Sequence, residues 1–311
     1  MLGGIILSGT LYVVATPIGN LDEITPRSLQ ILSEVDIIAA EDTRTTGLLF
    51  NRLGIEAKAT KFISYHKFNE SAKQNTLLEK LQAGQSIALV SDAGTPCISD
   101  PGYMLVKAAA DMEIPIIGVS GSCAVILALS VSGFPAEPFL FLGFLPRKTP
   151  AIVEVMSLLL RVPTLIFYES PKRIADTVEI LANHFPNIFL CLCNDLTKKF
   201  ERIYRGTPTE VLENLHANPN AEKGEYTCLV FMPPLSKNVL SDENSVENQP
   251  SLESLLIDVM VKSNCSMKDA IKILSSNQKS NNQLNFQSSH SISYTKNEIY
   301  TASLRLKELF S

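Results

Sequence analysis

Several common protein classes are excluded by what this sequence lacks. There is no excess of positive charge: 27 lysines and arginines stand against 32 acidic residues, a formal net charge of -5. A broadly basic nucleic-acid-binding domain is therefore ruled out, and any RNA contact must use a local patch. No apolar run approaches the ~20 residues needed to cross a bilayer. The first residues, MLGGIILSG, carry neither a basic segment nor a small-residue cleavage pattern, so a soluble, cytoplasmic chain is expected. The six cysteines (Cys97, Cys123, Cys191, Cys193, Cys228 and Cys265) lack the paired spacing of a zinc site or a disulfide framework. They read as small apolar residues in a reducing compartment, and no metal is expected. No strand is followed by G-x-G-x-x-G or G-x-x-x-x-G-K-[ST], which removes the dinucleotide fold, the P-loop and the glycine signature of a conventional Rossmann cofactor site.

What is present is enough apolar residue, 45% of 311, to bury one or two cores. Short β-rich runs, LYVVAT (11–16), DIIAAE (36–41), IALVSD (87–92) and PIIGV (115–119), alternate with helical patterns. Continuous apolar strands separated by helices indicate an α/β chain with a largely parallel sheet buried on both faces. A second set, FLFLGFL (139–145), TLIFYES (164–170), NIFLCLC (187–193) and YTCLVFM (226–232), follows a small-residue helix over 122–132. Two sheets are expected, with lobes over 1–119 and 120–233. The Pro/Ser/Asn-rich stretch 234–250 reads as a linker. Beyond it, Leu252, Leu255, Leu256 and Val259, and then Met267, Ala270, Ile271 and Leu274, repeat at helical spacing. These, with a helix from Lys296, predict a small helical domain over 251–311; the polar stretch 277–293 within it reads as a mobile loop. The window 147–205 leans basic, with nine lysines and arginines against six acids, either as ordinary surface charge or as a phosphate-facing surface.

Five strand ends gather polar groups. ATPIGNLDEIT (15–25) breaks the first strand and can start a helix with Thr25 as cap and Pro26 as first residue. SDAGTPCISDPG (91–102) packs two prolines and two glycines beside carboxylates. Such a backbone can pass close to a ligand, or it is a turn plus an N-cap through Ser99 or Asp100. AEDTRTT (40–46) and ISYHKFNE (63–70) bring Glu41, Asp42, Arg44, Tyr65, His66, Asn69 and Glu70, as active-site lining or as a salt-bridged rim. FYESPKR (167–173) offers Tyr168 for stacking and Lys172 with Arg173 for phosphate, or a turn with exposed charges.

In order, LYVVATPIGNLDEIT, AEDTRTTGLL, ISYHKFNE, LVSDAGTPCISDPGYMLV, FLGFLPRK, FYESPKRI, LTKKFERIYRGT and KGEYTCLV resemble one family, the bacterial small-subunit ribosomal RNA (cytidine 2'-O)-methyltransferases of the tetrapyrrole methylase superfamily (class III S-adenosylmethionine methyltransferases). The likeness spans about residues 10 to 232. It implies two α/β lobes with S-adenosylmethionine (SAM) in the cleft between them, a homodimer, and 16S rRNA, within the 30S subunit, as the partner. By motif it assigns Pro17, Ala93, Gly94, Thr95, Pro96, Ser122, Cys123, Tyr168 and Glu169 to the cofactor. Transfer to a ribose hydroxyl needs a base or a cation. The candidate bases are Asp42, His66, Asp92 and Glu169, and the candidate cations Arg44 and Lys223. Three features depart from the family pattern: Ser120 where proline is usual, Asn194 where an arginine that could face RNA is usual, and the polar insertion in the tail. A small tetrapyrrole-like substrate, or a non-catalytic rRNA-binding assembly role, are the alternatives.

Overall fold

The computed structural model describes residues 8–56, 61–159, 161–233, 252–263, 265–276 and 295–309. The expected linker 234–250 and the tail stretch 277–293 lie outside the described residues, as do Ser251 and Asn264. The chain divides at residue 234 into two units.

In the first unit, five strands, β1 (Leu11–Val14), β2 (Ile37–Ala40), β3 (Lys61–Ser64), β4 (Ile87–Val90) and β5 (Ile116–Val119), form an all-parallel sheet of order β3-β2-β4-β1-β5. Its central strands are apolar at every position because both faces are covered. Ile37 and Ala39 pack on one side with Leu77 and Leu81 of α3 (Glu70–Gln82) and Leu105 of α4 (Tyr103–Asp111). Ile38 and Ala40 pack on the other with Leu32 of α1 (Pro26–Glu34) and Phe50 of α2 (Thr43–Leu53). As its sequence requires, α1 starts at Pro26 with Thr25 Oγ1 accepting from Ser28 N–H at 3.0 Å.

The second sheet contains β6 (Phe139–Phe144), β7 (Thr164–Glu169), β8 (Phe189–Asn194), β9 (Arg202–Gly206) and β10 (Tyr226–Phe231), in the order β6-β7-β10-β8-β9. Here only β6 and β7 run parallel, and the other three pairings are antiparallel. A strand buried on both faces is equally apolar in either direction, so the pattern carries no orientation. On one face lie α6 (Thr149–Leu159), α7 (Ile174–His184) and α8 (Pro208–His216), and on the other α5 (Ala124–Ser132). Cys191, Cys193 and Cys228 are buried free thiols in these layers.

Described by itself, the second unit has, among the described residues, three helices, α9 (Leu252–Ser263), α10 (Met267–Ser276) and α11 (Lys296–Leu309). Leu256, Ala270, Ile299, Ala302 and Leu306 form its core. Among the described residues, no helix is long and apolar enough to cross a membrane.

Candidate functional site

Strands β1 and β4 are neighbours, yet α1 carries the chain from β1 to one side of the sheet and α4 carries it from β4 to the other. Ligands of open α/β sheets bind at such a switch point, beyond the carboxyl ends of the strands. The two loops there, ATPIGN and SDAGTP, are stapled together: Thr16 N–H donates to Gly94 O at 2.9 Å, and Gly94 N–H to Thr16 O at 3.0 Å. Gly94 has φ +82°, and a Cβ on it would sit 3.2 Å from Ile18 Cγ2. Any other residue would be strained and would crowd the space above the loop.

A cleft of about 480 Å³ opens at this point between the two sheets. One wall consists of Ile18, Glu41, Asp92–Thr95 and Ile98–Asp100; the other includes Cys123, Phe144, Tyr168, Glu169, Glu225 and Thr227. Cys97 at φ 71° and Ser99 at φ 66° hold the loop in the left-handed region that non-glycine residues avoid, and strain of this kind concentrates at functional sites. The capping account of the loop is corrected: α4 starts from Gly102, with no side-chain cap, and Gly102 N–H donates instead to Glu70 Oε1 at 2.7 Å.

The residues singled out from the sequence divide into three groups. Ala93, Gly94, Thr95, Cys123, Asp92, Tyr168 and Glu169 line the cleft together. Pro17 and Pro96 are buried behind it, and Ser122 supports it, its carbonyl accepting from Thr95 Oγ1 at 2.9 Å. Asp42, Arg44, His66 and Lys223 are not among the lining residues. Asp42 caps α2 and is paired with Arg44 at 2.9 Å, which holds its carboxyl down at about 2. His66 is engaged by its own loop: Phe68 N–H donates to Nδ1 at 3.3 Å, and the Asn69 amide nitrogen lies 3.2 Å from Nε2. Lys223 Nζ donates to Asn220 Oδ1 at 2.9 Å on an exposed turn.

The second wall is internally satisfied. Glu169 accepts from Ser170 N–H at 2.7 Å and Thr177 Oγ1 at 2.8 Å, and pairs with Arg173 at 3.3 Å. Glu225 pairs with Lys198, which also binds Asp195. Asn194 is buried and donates to the carbonyls of Lys223 and Glu225, so this position braces the turn before β10 and does not face RNA. On the first wall the carboxylates gather without cations. Asp42 N–H donates to Asp92, and Asp92 N–H to Glu41. Burial is the main cause that raises the Glu41 and Asp92 carboxyls. Burial first, and then Glu41, push Asp100 up to about 6.

Sequence reasoning did not nominate Ile18, Phe144, Glu225 or Thr227. Phe144 was visible as an aromatic at a strand end, and its ring lies 5.7 Å from that of Tyr168. Glu225 carried no signal beyond its place in KGEYTC.

Residues 10–212 match the family model of the tetrapyrrole (corrin/porphyrin) methylases. The chain is 46% identical over 224 residues to ribosomal RNA small subunit methyltransferase I of Escherichia coli, covering 71% of this chain and 77% of that protein. It is 42% identical over 258 residues to the protein of the same name from Haemophilus influenzae, covering 82% and 89%. Among solved structures, diphthine synthase superposes with a TM-score of 0.55 at 13% identity, covering 74% of this chain and 92% of that one. Cobalt precorrin-4 methyltransferase does so with a TM-score of 0.53 at 16% identity, covering 72% and 96%. At such identities these two share the fold. By sequence and fold, the chain belongs to the tetrapyrrole methylases, a family of SAM-dependent methyltransferases, and within it to the group of ribosomal RNA small subunit methyltransferase I.

Proposed function

We propose that this protein transfers a methyl group from SAM to the ribose 2'-hydroxyl of a cytidine in the decoding region of 16S rRNA, in the cytoplasm and on the 30S subunit. The observation that carries the reading is the cleft at the β1–β4 switch point, floored by the stapled SDAGTP loop. Its volume suits a nucleoside-sized ligand, for which pockets of roughly 300–1,000 Å³ are usual. Its chemistry suits SAM on two counts. Ile18, Ile98, Phe144 and Tyr168 offer apolar faces to a base, and Glu41 and Asp92 offer negative charge to a sulfonium and an ammonium. Ala93, Gly94, Thr95, Cys123 and Tyr168 would hold the cofactor, with Pro17, Pro96 and Ser122 shaping the loops behind them. When bound, SAM supplies an electrophilic methyl carbon. The chain's task is to hold a hydroxyl in line with it, and such positioning is worth roughly 7–11 kcal/mol.

Arg147, Lys148, Lys172, Lys199 and Arg202 are exposed on the second-sheet side and supply the local positive charge that the net balance lacks. That surface favours a polyanionic substrate over a small tetrapyrrole. Exposed apolar side chains on strand ends, Phe139, Leu140 and Phe189, support a homodimer that covers them, checked by light scattering of the purified protein. The test of the activity is incubation with methyl-labelled SAM and 30S subunits that lack the modification, followed by mass spectrometric mapping. Label on a cytidine ribose is expected; label on a base or a small molecule, or none, would overturn the reading.

A further inference from the structure

We infer that Asp100 is the general base that takes the proton from the substrate hydroxyl, an inference that rests on the ribose-methylating function proposed above. Five carboxylates line the cleft: Glu41, Asp92, Asp100, Glu169 and Glu225. Four are committed. Glu169 is bound by Ser170, Thr177 and Arg173, and Glu225 by Lys198. Glu41 holds the backbone N–H of Asp92, and Asp92 that of Asp42. Asp100 has the Ser91 hydroxyl beside it, and among the described residues no cation and no N–H reaches it. It does not cap α4, since Gly102 fills that place without a side-chain bond. The loop sets Asp100 into the cleft just beyond two non-glycine residues in left-handed conformation, Cys97 and Ser99. Such conformations are costly for non-glycine residues, and in this loop they leave a half-buried acid with lone pairs free.

In the step assigned to it, the hydroxyl proton passes to an Asp100 carboxylate oxygen. The oxygen lone pair forms the new bond to the methyl carbon as the carbon–sulfur bond breaks, and that electron pair stays on sulfur. A base is most useful when its pKa lies near the working pH, because it is then both ionised and willing to accept a proton. Burial and the neighbouring Glu41 bring Asp100 to about 6. The groups facing it are Glu41 from the end of β2, Asp92 and Cys97 from its own loop, and Tyr168 from β7. Burial pushes the Cys97 thiol up to about 11 and the Tyr168 hydroxyl well above its usual range, so both stay neutral from pH 5 to 9.

The test compares the wild type with Asp100→Asn and Asp100→Glu by single-turnover transfer to 30S subunits across pH, by SAM affinity in calorimetry, and by carboxyl carbon NMR titration of the wild type without ligand. The wild-type rate should rise through an inflection near the Asp100 pKa and level off. Asp100→Asn should lose about a hundredfold or more in rate, the range general bases supply. It should also lose the inflection while binding SAM within about threefold of the wild type, and Asp100→Glu should keep the inflection at a reduced rate. In NMR, Asp100 should titrate well above an ordinary aspartate, a readout that needs neither turnover nor a folded variant. An Asp100→Asn rate within threefold of the wild type with the same inflection, or an ordinary aspartate titration, overturns the assignment. If the wild type itself places no methyl on ribose, the proposed function fails instead.

Discussion

The two walls of the cleft are built from the same residue types and used differently. On the second wall every acid named above has a partner of opposite charge: Glu169 has Arg173, and Glu225 has Lys198. On the first wall Glu41, Asp92 and Asp100 gather without an opposite charge, only Glu41 and Asp92 accepting backbone N–H groups, and each is raised chiefly by burial. Paired charges fix a shape, whereas crowded like charges cost stability and are retained where they serve a ligand or a proton. On the proposed reading, the acids of the second wall are scaffold and those of the first carry the chemistry.

The largest test of this contrast is on the first-wall loop. Gly94→Trp places a large side chain at φ +82° against Ile18, and SAM affinity measured by calorimetry should fall by about a hundredfold or more, equivalent to ~2.7 kcal/mol. Next, Glu169→Ala on the second wall strips a partner from Arg173 and Thr177 at a side chain only 1% exposed. Arg173 stays partly exposed and keeps some water, so the loss should be about 2 kcal/mol, read as a lower midpoint in denaturant. Asp100→Asn should act in the opposite direction. Its folded pKa of about 6 lies above the ordinary 3.8, so the folded state binds the proton more tightly than the unfolded one. Stability from this group is present in acid, declines as pH rises from about 4 to 6, and is absent at neutrality. The variant should therefore match the wild type near pH 4 and melt about 2–4 °C higher above pH 7; equal melting at both would mean that Asp100 carries no buried charge. The smallest effect belongs to Arg44→Ala, whose ion pair with Asp42 is 88% exposed on the arginine side. Such an exposed, solvent-screened pair contributes little, so its denaturation midpoint should scarcely move.

The central strands were legible because burial on both faces demands unbroken apolar runs, as in IIAA and IALV. β3, KFIS, and β9, RIYRG, were not, because both lie at sheet edges, are half exposed, and carry charges that blur a strand pattern. SDAGTPCISDPG was legible as an unusual loop from its glycines and prolines, but not the division of labour within it. Which of Asp92 and Asp100 is committed depends on Asp42 N–H arriving from another strand, fifty residues away in the chain. In contrast, the Glu169–Arg173 pair lies at a local spacing of four residues, so FYESPKR already contained the bridge that turns a nominated base into scaffold. The family likeness sets Asn194 where an arginine could face RNA; only the antiparallel pairing of β8 with β10 puts its amide against Lys223 and Glu225.

The most direct test of the division between walls is a crystal structure of the protein with SAM. The account predicts the adenine against Ile18, Ile98, Phe144 and Tyr168, with the methyl carbon directed at a space bordered by Asp92 and Asp100. A methyl carbon directed at Glu169 and Glu225, or a cofactor bound away from the Gly94 loop, would contradict it.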